Sequence, residues 1–474
     1  TYGGPMGLLA GGSMDKRFFN RLGASEVDSS PLCAGVSGAA WDSVFGDVGG
    51  TPYTEIGDAG LIVIWGNNIT ACNLHLTTLI RDARKRGARL VVVDPRRTRI
   101  ADDADLHLPL LPGTDVVLAY AVAALIAARG GLDHAFIAEH VQGAEVFLAE
   151  AAKYTPQRAA QLCGLNEEDI SQFASWWCDI KPAIISAGVG PERNRNGGSG
   201  LRAMMALPAL TGNFGPTGAG ICDVSGFFPV ARDALARPDL RSGDSREFNV
   251  LDLPRHILNP GSALPIKGLF IYNHNPVAVH PRAAEMRAAL LSESVFVVGS
   301  DISMTDSMAC CDVILPAASH LEYGDLYKAY GHHYLQRTEA VIDPVGEAVS
   351  NMELFRRLAA RFDFDEPALR ESDEQLMDQA LSANSQGLGG RRPSQLLAGE
   401  AVDMRGQANA VIFRGQLPAT PSGKIELYSE ALQAQSGLGL PRFRALQARR
   451  AFVLISAASE QRINSTFGGI AGQS

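Results

Sequence analysis

The residues with the most chemistry to offer stand in short polar clusters, each directly behind an apolar run. Gly66, Asn67 and Asn68 follow residues 60–65, Asp94 and Arg96 follow 90–93, Gly113, Thr114 and Asp115 follow 107–111, and Gly188 and Gly190 follow 182–186. Farther along, Asn273 and Asn275 follow 268–272, and Ser300 and Asp301 follow 294–298. Carboxylates in such places can accept from base or ribose donors, while Asn, Arg and Thr can hold phosphate oxygens or ring edges. Each residue alone is an ordinary turn or cap residue. The clustering points to a large nucleotide-like ligand.

Clusters of this kind need strands to place them. Gly60-Leu-Ile-Val-Ile-Trp65 and Leu90-Val-Val-Val93 are short and almost wholly apolar, as strands buried on both faces of a parallel sheet are. Between them the spacing predicts a helix over 74–86, with Leu76, Leu79, Ile80 and Ala83 on one face and Gly87 as its stop. Residues 107–111 read as a third strand, leading into a helix over 116–128 opened by Thr114 and Asp115 as caps. Residues 182–186 read as a fourth strand, and 268–272, 294–298 and 312–316 repeat the pattern. In open parallel sheets ligands lie beyond the carboxyl ends of the strands. The expected fold is therefore α/β: two doubly wound, mostly parallel sheet units related to each other, with the start of a C-terminal β-rich domain. The expected boundaries are 55–190 for the first unit, 1–54 plus 191–430 for the second, and 431–474 for the last. A glycine-rich stretch between Gly197 and Gly220 reads as a separator, and 370–410 as a linker or surface excursion.

Composition limits the alternatives. The 474 residues are 46% hydrophobic, 20% charged and 7% aromatic, a globular composition that excludes wholesale disorder. No apolar run approaches the roughly 18 residues of a spanning helix, so no direct membrane insertion is expected. With 42 Lys and Arg against 51 Asp and Glu, and no basic block, nucleic acid is not an expected partner. Seven Cys are scattered without a Cys-x-x-Cys pair, which suits neither a disulfide framework nor a zinc or iron–sulfur site. No strand leads into a complete Gly-x-Gly-x-x-Gly turn, and neither a P-loop nor a Gly-x-Ser-x-Gly elbow is present. His332 and His333 are neighbours on a strand-like run and point to opposite faces, so no zinc site is expected there. The chain opens at Thr1 without a signal-like segment and closes after the strand-like run 452–456, and it reads as a fragment.

Six motifs in order carry a resemblance. They are Ile64-Trp-Gly-Asn-Asn68, Val92-Val-Asp-Pro-Arg-Arg-Thr98, Leu110-Leu-Pro-Gly-Thr-Asp115, Leu210-Thr-Gly-Asn-Phe-Gly215, Ile271-Tyr-Asn-His-Asn-Pro276 and Asp312-Val-Ile-Leu-Pro-Ala317. Together they resemble the molybdopterin oxidoreductases of the dimethyl sulfoxide reductase and formate dehydrogenase superfamily, over essentially the whole chain. The resemblance implies a bis-molybdopterin guanine dinucleotide cofactor carrying molybdenum or tungsten, with guanine ends spread over the two units. It would place Gly66, Asn67, Asn68, Asp94, Arg96, Gly113, Thr114 and Asp115 around one dinucleotide. Gly188 and Gly190 stand at the fourth strand end of the same unit. Asn273, Asn275, Ser300, Asp301 and Thr305 would surround the other dinucleotide. Asn464, Ser465 and Thr466 match the start of the family's last domain.

The same resemblance makes Cys33, in Pro31-Leu-Cys-Ala-Gly-Val-Ser-Gly38, the expected metal ligand, with Ser37 as the fallback. A thiolate suits a metal already bound by dithiolene sulfur. Formate dehydrogenases of the family carry His after that Cys, where this chain has Ala34, so formate is a doubtful substrate. Arg202 matches a position where those enzymes place an active-site Arg, suited to an anionic or oxo substrate. Cys311 stands where the family usually has Ala, directly before the retained Asp312, and reads as a structural replacement. The family's 4Fe-4S region would lie upstream of Thr1. The expected activity is two-electron oxygen-atom or hydride-equivalent transfer on a small-molecule substrate, with an iron–sulfur electron-transfer subunit as possible partner. A non-redox hydratase or transhydroxylase, a metal-free structural subunit and a plain nucleotide-binding module are the alternatives.

Overall fold

The computed structural model describes residues 7–222, 230–261, 263–328, 330–381, 385–404, 411–445, 452, 454–457, 465 and 466. The chain divides into two compact units. The first comprises Cys33–Ser225 and Asn409–Glu460, and the second comprises Thr1–Leu32, Gly226–Ala408 and Gln461–Ser474. Both are α/β with mostly parallel sheets.

The first unit is built on a parallel five-stranded sheet. Leu61–Trp65 lies at its centre, with Arg89–Val93 and then Leu106–Leu108 on one side and Ala183–Ala187 and then Gly220–Ile221 on the other. Chain order reverses across the central strand, so the crevice at its carboxyl end is a topological switch point. Side chains alternate between two cores: Leu61, Val63, Trp65, Val91 and Val93 enter one, Ile62, Ile64, Leu90 and Val92 the other. That is why these runs are apolar without alternation.

The Leu74–Lys85 helix covers the second core with Leu76, Ile80 and Ala83, as its spacing predicts. The Asp115–Ala128 helix lies in the first core and is apolar on every side, as a helix surrounded by protein is. Its expected threonine cap is corrected: Thr114 Oγ1 donates to Leu111 O at 2.7 Å instead of accepting from the helix.

The glycine-rich separator is also corrected. Gly197, Gly198 and Gly200 open a buried helix, Gly197–Leu210, that packs on Asp115–Ala128. A Cβ on Gly200 would stand 3.0 Å from Asp115 Cβ, so these glycines permit close approach and do not loosen the chain. This packing moves the described residues 191–222 into the first unit. Residues 33–54 move with them, because the Gly35–Phe45 helix packs on Gly197–Leu210. Nor do 431–445 begin a separate domain. Tyr120 donates its hydroxyl to Pro441 O at 2.7 Å, and Leu440 and Phe443 join the first core.

The second unit holds a parallel sheet with Phe296–Asp301 between Gly268–Tyr272 and Val313–Pro316. The middle strand starts two residues later than expected because Ser292 and Ser294 are held in a turn. An antiparallel sheet of Leu326–Lys328, Tyr334–Arg337 and Ala401–Asp403 stands beside a core of Phe18, Met352, Phe355, Leu369 and Leu376. The expected linker at 370–410 is therefore packed structure among its described residues: a capping-box helix, Asp373–Ala380, and the edge strand 401–403. Residues 452 and 454–457 are exposed and form no strand.

The Met14–Leu22 helix threads this core with a side chain fully removed from water, Arg17. Its guanidinium donates to the carbonyls of Leu235 and Ala368 at 2.7 Å, Ala234 at 3.0 Å, and to Glu371 and Gln379 at 2.6 Å. Burial lowers its pKa, which the Glu371 hydrogen bond opposes.

Candidate functional site

In the first unit the strand ends are bound to one another by backbone. Gly66 N donates to Val93 O at 2.8 Å, Gly188 N to Trp65 O at 2.9 Å, and Gly190 N to Gly66 O at 3.3 Å. A Cβ on Gly188 would lie 2.4 Å from Gly66 O, and one on Gly66 would lie 2.4 Å from Pro191 Cδ. These glycines let three strand ends meet without side chains between them.

The polar residues stand around that junction. Asn67 Nδ2 donates to Ser186 Oγ at 3.1 Å, and Asn68 Oδ1 accepts from Thr70 Oγ1 at 2.7 Å. Asp94 Oδ1 accepts from Arg96 N at 2.8 Å in a tight turn, which leaves the Arg96 side chain exposed. Burial raises the Asp94 carboxyl above its ordinary range. Gly113 has φ +85°, and its carbonyl accepts from Asn196 Nδ2 at 2.8 Å. Asp115 accepts from the Trp65 indole N–H at 2.9 Å, and burial pushes its carboxyl up to about 6. Thr98 is buried with no partner for its hydroxyl among the described residues.

Cys33 is a free, half-buried thiol in the turn before the Gly35–Phe45 helix. Ser37 donates both N–H and hydroxyl to Glu192. Arg202 is 4% exposed and donates to Leu438 O at 2.7 Å and Gly439 O at 2.5 Å, while its Nε has no partner among the described residues. Burial lowers its pKa to about 10. Both terminal nitrogens thus tie the helix to 438–439. A separate cavity of about 630 Å³ sits at the amino ends of the strands, lined by Arg81, Arg84, Arg89 and Asp105 among others. Arg84 and Arg89 share Asp105 at 3.4 and 3.1 Å, and the cavity is remote from the strand-end cluster.

In the second unit Asn273 takes φ +54° at the end of its strand. Its Oδ1 accepts from Asn351 Nδ2 at 2.9 Å, and its Nδ2 donates to Ala10 O at 3.4 Å. Asn275 accepts from Ser307 Oγ at 2.6 Å. Asp301 accepts from Ser303 N at 3.2 Å, and Thr305 Oγ1 accepts from Met308 N at 3.2 Å. Burial raises the Asp301 carboxyl. Ser300 is 2% exposed, and its hydroxyl has no partner among the described residues. Beside them His274 and His280 share a 2.6 Å Nε2···Nε2 contact, their pKa values lowered by burial to about 3 and about 4. Cys311 packs against Gly299, where a Cβ would stand 2.7 Å from its Sγ. Ser465 is half-buried and Thr466 exposed, while Asn464 lies outside the described residues.

Residues 4–361 match the model of the molybdopterin oxidoreductase family. The chain belongs to that family. This molybdopterin oxidoreductase is similar to the probable oxidoreductase YoaE of Bacillus subtilis, with 35% identity over 98% of this chain and 68% of the relative. It is 29% identical to a formate dehydrogenase alpha subunit of Methanocaldococcus jannaschii, over 65% of this chain and 48% of that one. Among solved structures, acetylene hydratase from Pelobacter acetylenicus matches with a TM-score of 0.78 at 22% identity, covering 91% of this chain and 64% of that one. That likeness is one of fold. The family implies an enzyme with a molybdopterin cofactor and molybdenum or tungsten.

The residues fit such a group. Thr98 Oγ1 in one unit and Ser300 Oγ in the other are dry hydroxyls at carboxyl ends of parallel strands. A dry polar atom costs about 1–3 kcal/mol unless a ligand completes it. Sequence reasoning missed both Thr98 and the residues that anchor the site, Glu192, Asn196, Asn351 and Ser307. Thr98 lies inside a recognised motif, but its burial does not show in the sequence. The others sit far along the chain from what they hold.

Proposed function

We propose that the chain is part of the catalytic subunit of a bis-molybdopterin guanine dinucleotide oxidoreductase. The carrying observation is that each unit brings dry polar atoms and half-buried carboxyl groups to its strand ends, which is what a cofactor with two guanine ends would need. In the first unit Asn67, Asn68, Asp94, Arg96, Thr98, Thr114 and Asp115 would hold one dinucleotide. In the second Asn273, Asn275, Ser300, Asp301 and Thr305 would hold the other, with Ser465 and Thr466 as further candidates. When bound, the group supplies two-electron oxygen-atom or hydride-equivalent chemistry at molybdenum or tungsten.

The chain's own part is to bind and orient. Cys33 would add a thiolate to the metal, held deprotonated by it. In the family reading the remaining ligands would be the cofactor's dithiolenes. Arg202 would have to leave Leu438 and Gly439 before it could hold an anionic substrate. We therefore assign it to positioning the 438–439 segment. An iron–sulfur region outside this chain, or a partner subunit, would carry electrons onward. No described helix is long and apolar enough to cross a membrane.

The test is anaerobic purification with metal analysis and spectroscopy of Cys33→Ala. Molybdenum or tungsten near one per chain, with an altered metal spectrum in the variant, supports the reading. A well-folded protein without either metal contradicts it. A hydratase or transhydroxylase would use the same cofactor and residues but reduce no electron-accepting dye during turnover, and a dye-linked assay separates the two.

A further inference from the structure

The turn bearing Cys33 runs straight into the Gly35–Phe45 helix, whose N-cap is Ala34. That helix has no side-chain oxygen of its own for its first-turn N–H groups. The acceptor comes from the loop after the Ala183–Ala187 strand. Glu192 Oε2 accepts from Ser37 N at 2.8 Å and from Ser37 Oγ at 2.7 Å. The Glu192 side chain is fully removed from water, and its other oxygen has no hydrogen bond among the described residues, with Arg193 Nη2 3.6 Å away. A buried carboxylate at a helix N-terminus is favoured by the partial positive charge there.

The loop around Glu192 is pinned on both sides. Gly190 N donates to Gly66 O at 3.3 Å, and Asn196 Nδ2 donates to Gly113 O at 2.8 Å. A Cβ on Gly197 would stand 2.5 Å from Glu192 Cα, so the helix start fits closely under this residue. One loop thus touches the end of the central strand, the turn before Asp115 and, through Glu192, the first turn after Cys33.

We infer that Glu192 is a positioning residue that fixes the Cys33 turn against the strand ends. The inference rests on the reading of Cys33 as metal ligand for its functional meaning, and on the two Ser37 hydrogen bonds for its structure. Glu192 reaches the proposed chemistry only through this turn.

The test reads Cys33 directly. In the full chain freed of cofactor, alkylation of Cys33 by iodoacetamide is followed peptide by peptide by mass spectrometry. Loss of the cap lets the turn open, and in Glu192→Ala the rate rises roughly tenfold. In Glu192→Gln it stays within about twofold of the parent, because a carboxamide oxygen can accept both Ser37 bonds. Cys163, fully buried, reports that the unit is folded by staying protected. If Cys163 reacts in Glu192→Ala, the milder Ser37→Ala decides, with a rise of about threefold expected from losing one bond. A parental Cys33 rate in the deciding variant overturns the inference. Separately, an unchanged metal spectrum in cofactor-loaded Cys33→Ala would remove the ligand reading while leaving the positioning role to stand on alkylation.

Discussion

Asp115 shows what burial does to a residue chosen for its charge. The sequence places it at a helix start behind a strand, where a carboxylate suits both a cap and a base-binding role. The structure sets it against the Trp65 indole in a dry pocket, with its carboxyl raised to about 6. A raised carboxyl binds its proton more tightly folded than unfolded. Its stabilising effect is therefore full below about pH 4 and lost as pH rises through about 6. The cofactor-free chain should lose up to about 3 kcal/mol from this group between those limits. Asp115→Asn keeps an acceptor for Trp65 and should flatten that part of the profile, checked by thermal unfolding at pH 4.5 and 7. Asp94 and Asp301 carry the same lesson in milder form: each closes a turn on a backbone N–H two residues on. Their types and places were legible in sequence. The partners that orient the other site residues, such as Asn351 on Asn273 and Asn196 on Gly113, were not, because they lie 78 and 83 residues away.

At the scale of elements, the short apolar runs were legible because a parallel strand buried on both faces has one residue class along its length. The glycine-rich stretch and the 370–410 segment were not. Glycines at 197, 198 and 200 signal either a loose link or a close helix contact, and composition alone does not choose. In 370–410 the buried Leu376, Met377, Leu388, Leu396 and Val402 are spaced too irregularly to show a period. The glycines at the strand ends give a test at this scale. Gly188→Ala forces a Cβ to 2.4 Å from Gly66 O and 2.7 Å from Asn67 Cα, backbone that has no room to yield. It should destabilise the first unit by about 1–3 kcal/mol, the ordinary cost of overpacking. Denaturant unfolding of the variant measures that loss. Gly23→Ala, with nothing within 4 Å but a φ of +70°, serves as a control for conformational strain alone.

At the scale of the molecule, each unit has its own anchors. In the second unit Arg17 is the largest: a cation removed from water and held by three carbonyls, a carboxylate and a carboxamide. Arg17→Met should cost about 3–5 kcal/mol, because Glu371 and the carbonyls lose their donor. A lowered melting temperature of the second unit, with the first unit's Cys163 still protected, is the expected signature. The central claim is that the two units each bind one end of a double-guanine cofactor. The measurement that tests it most directly is the guanine nucleotide released by acid from anaerobically purified full-length protein, counted per chain. The account predicts a value near two, falling toward one when the second unit's Asp301→Leu removes its carboxyl group. A folded protein that releases no guanine would contradict it.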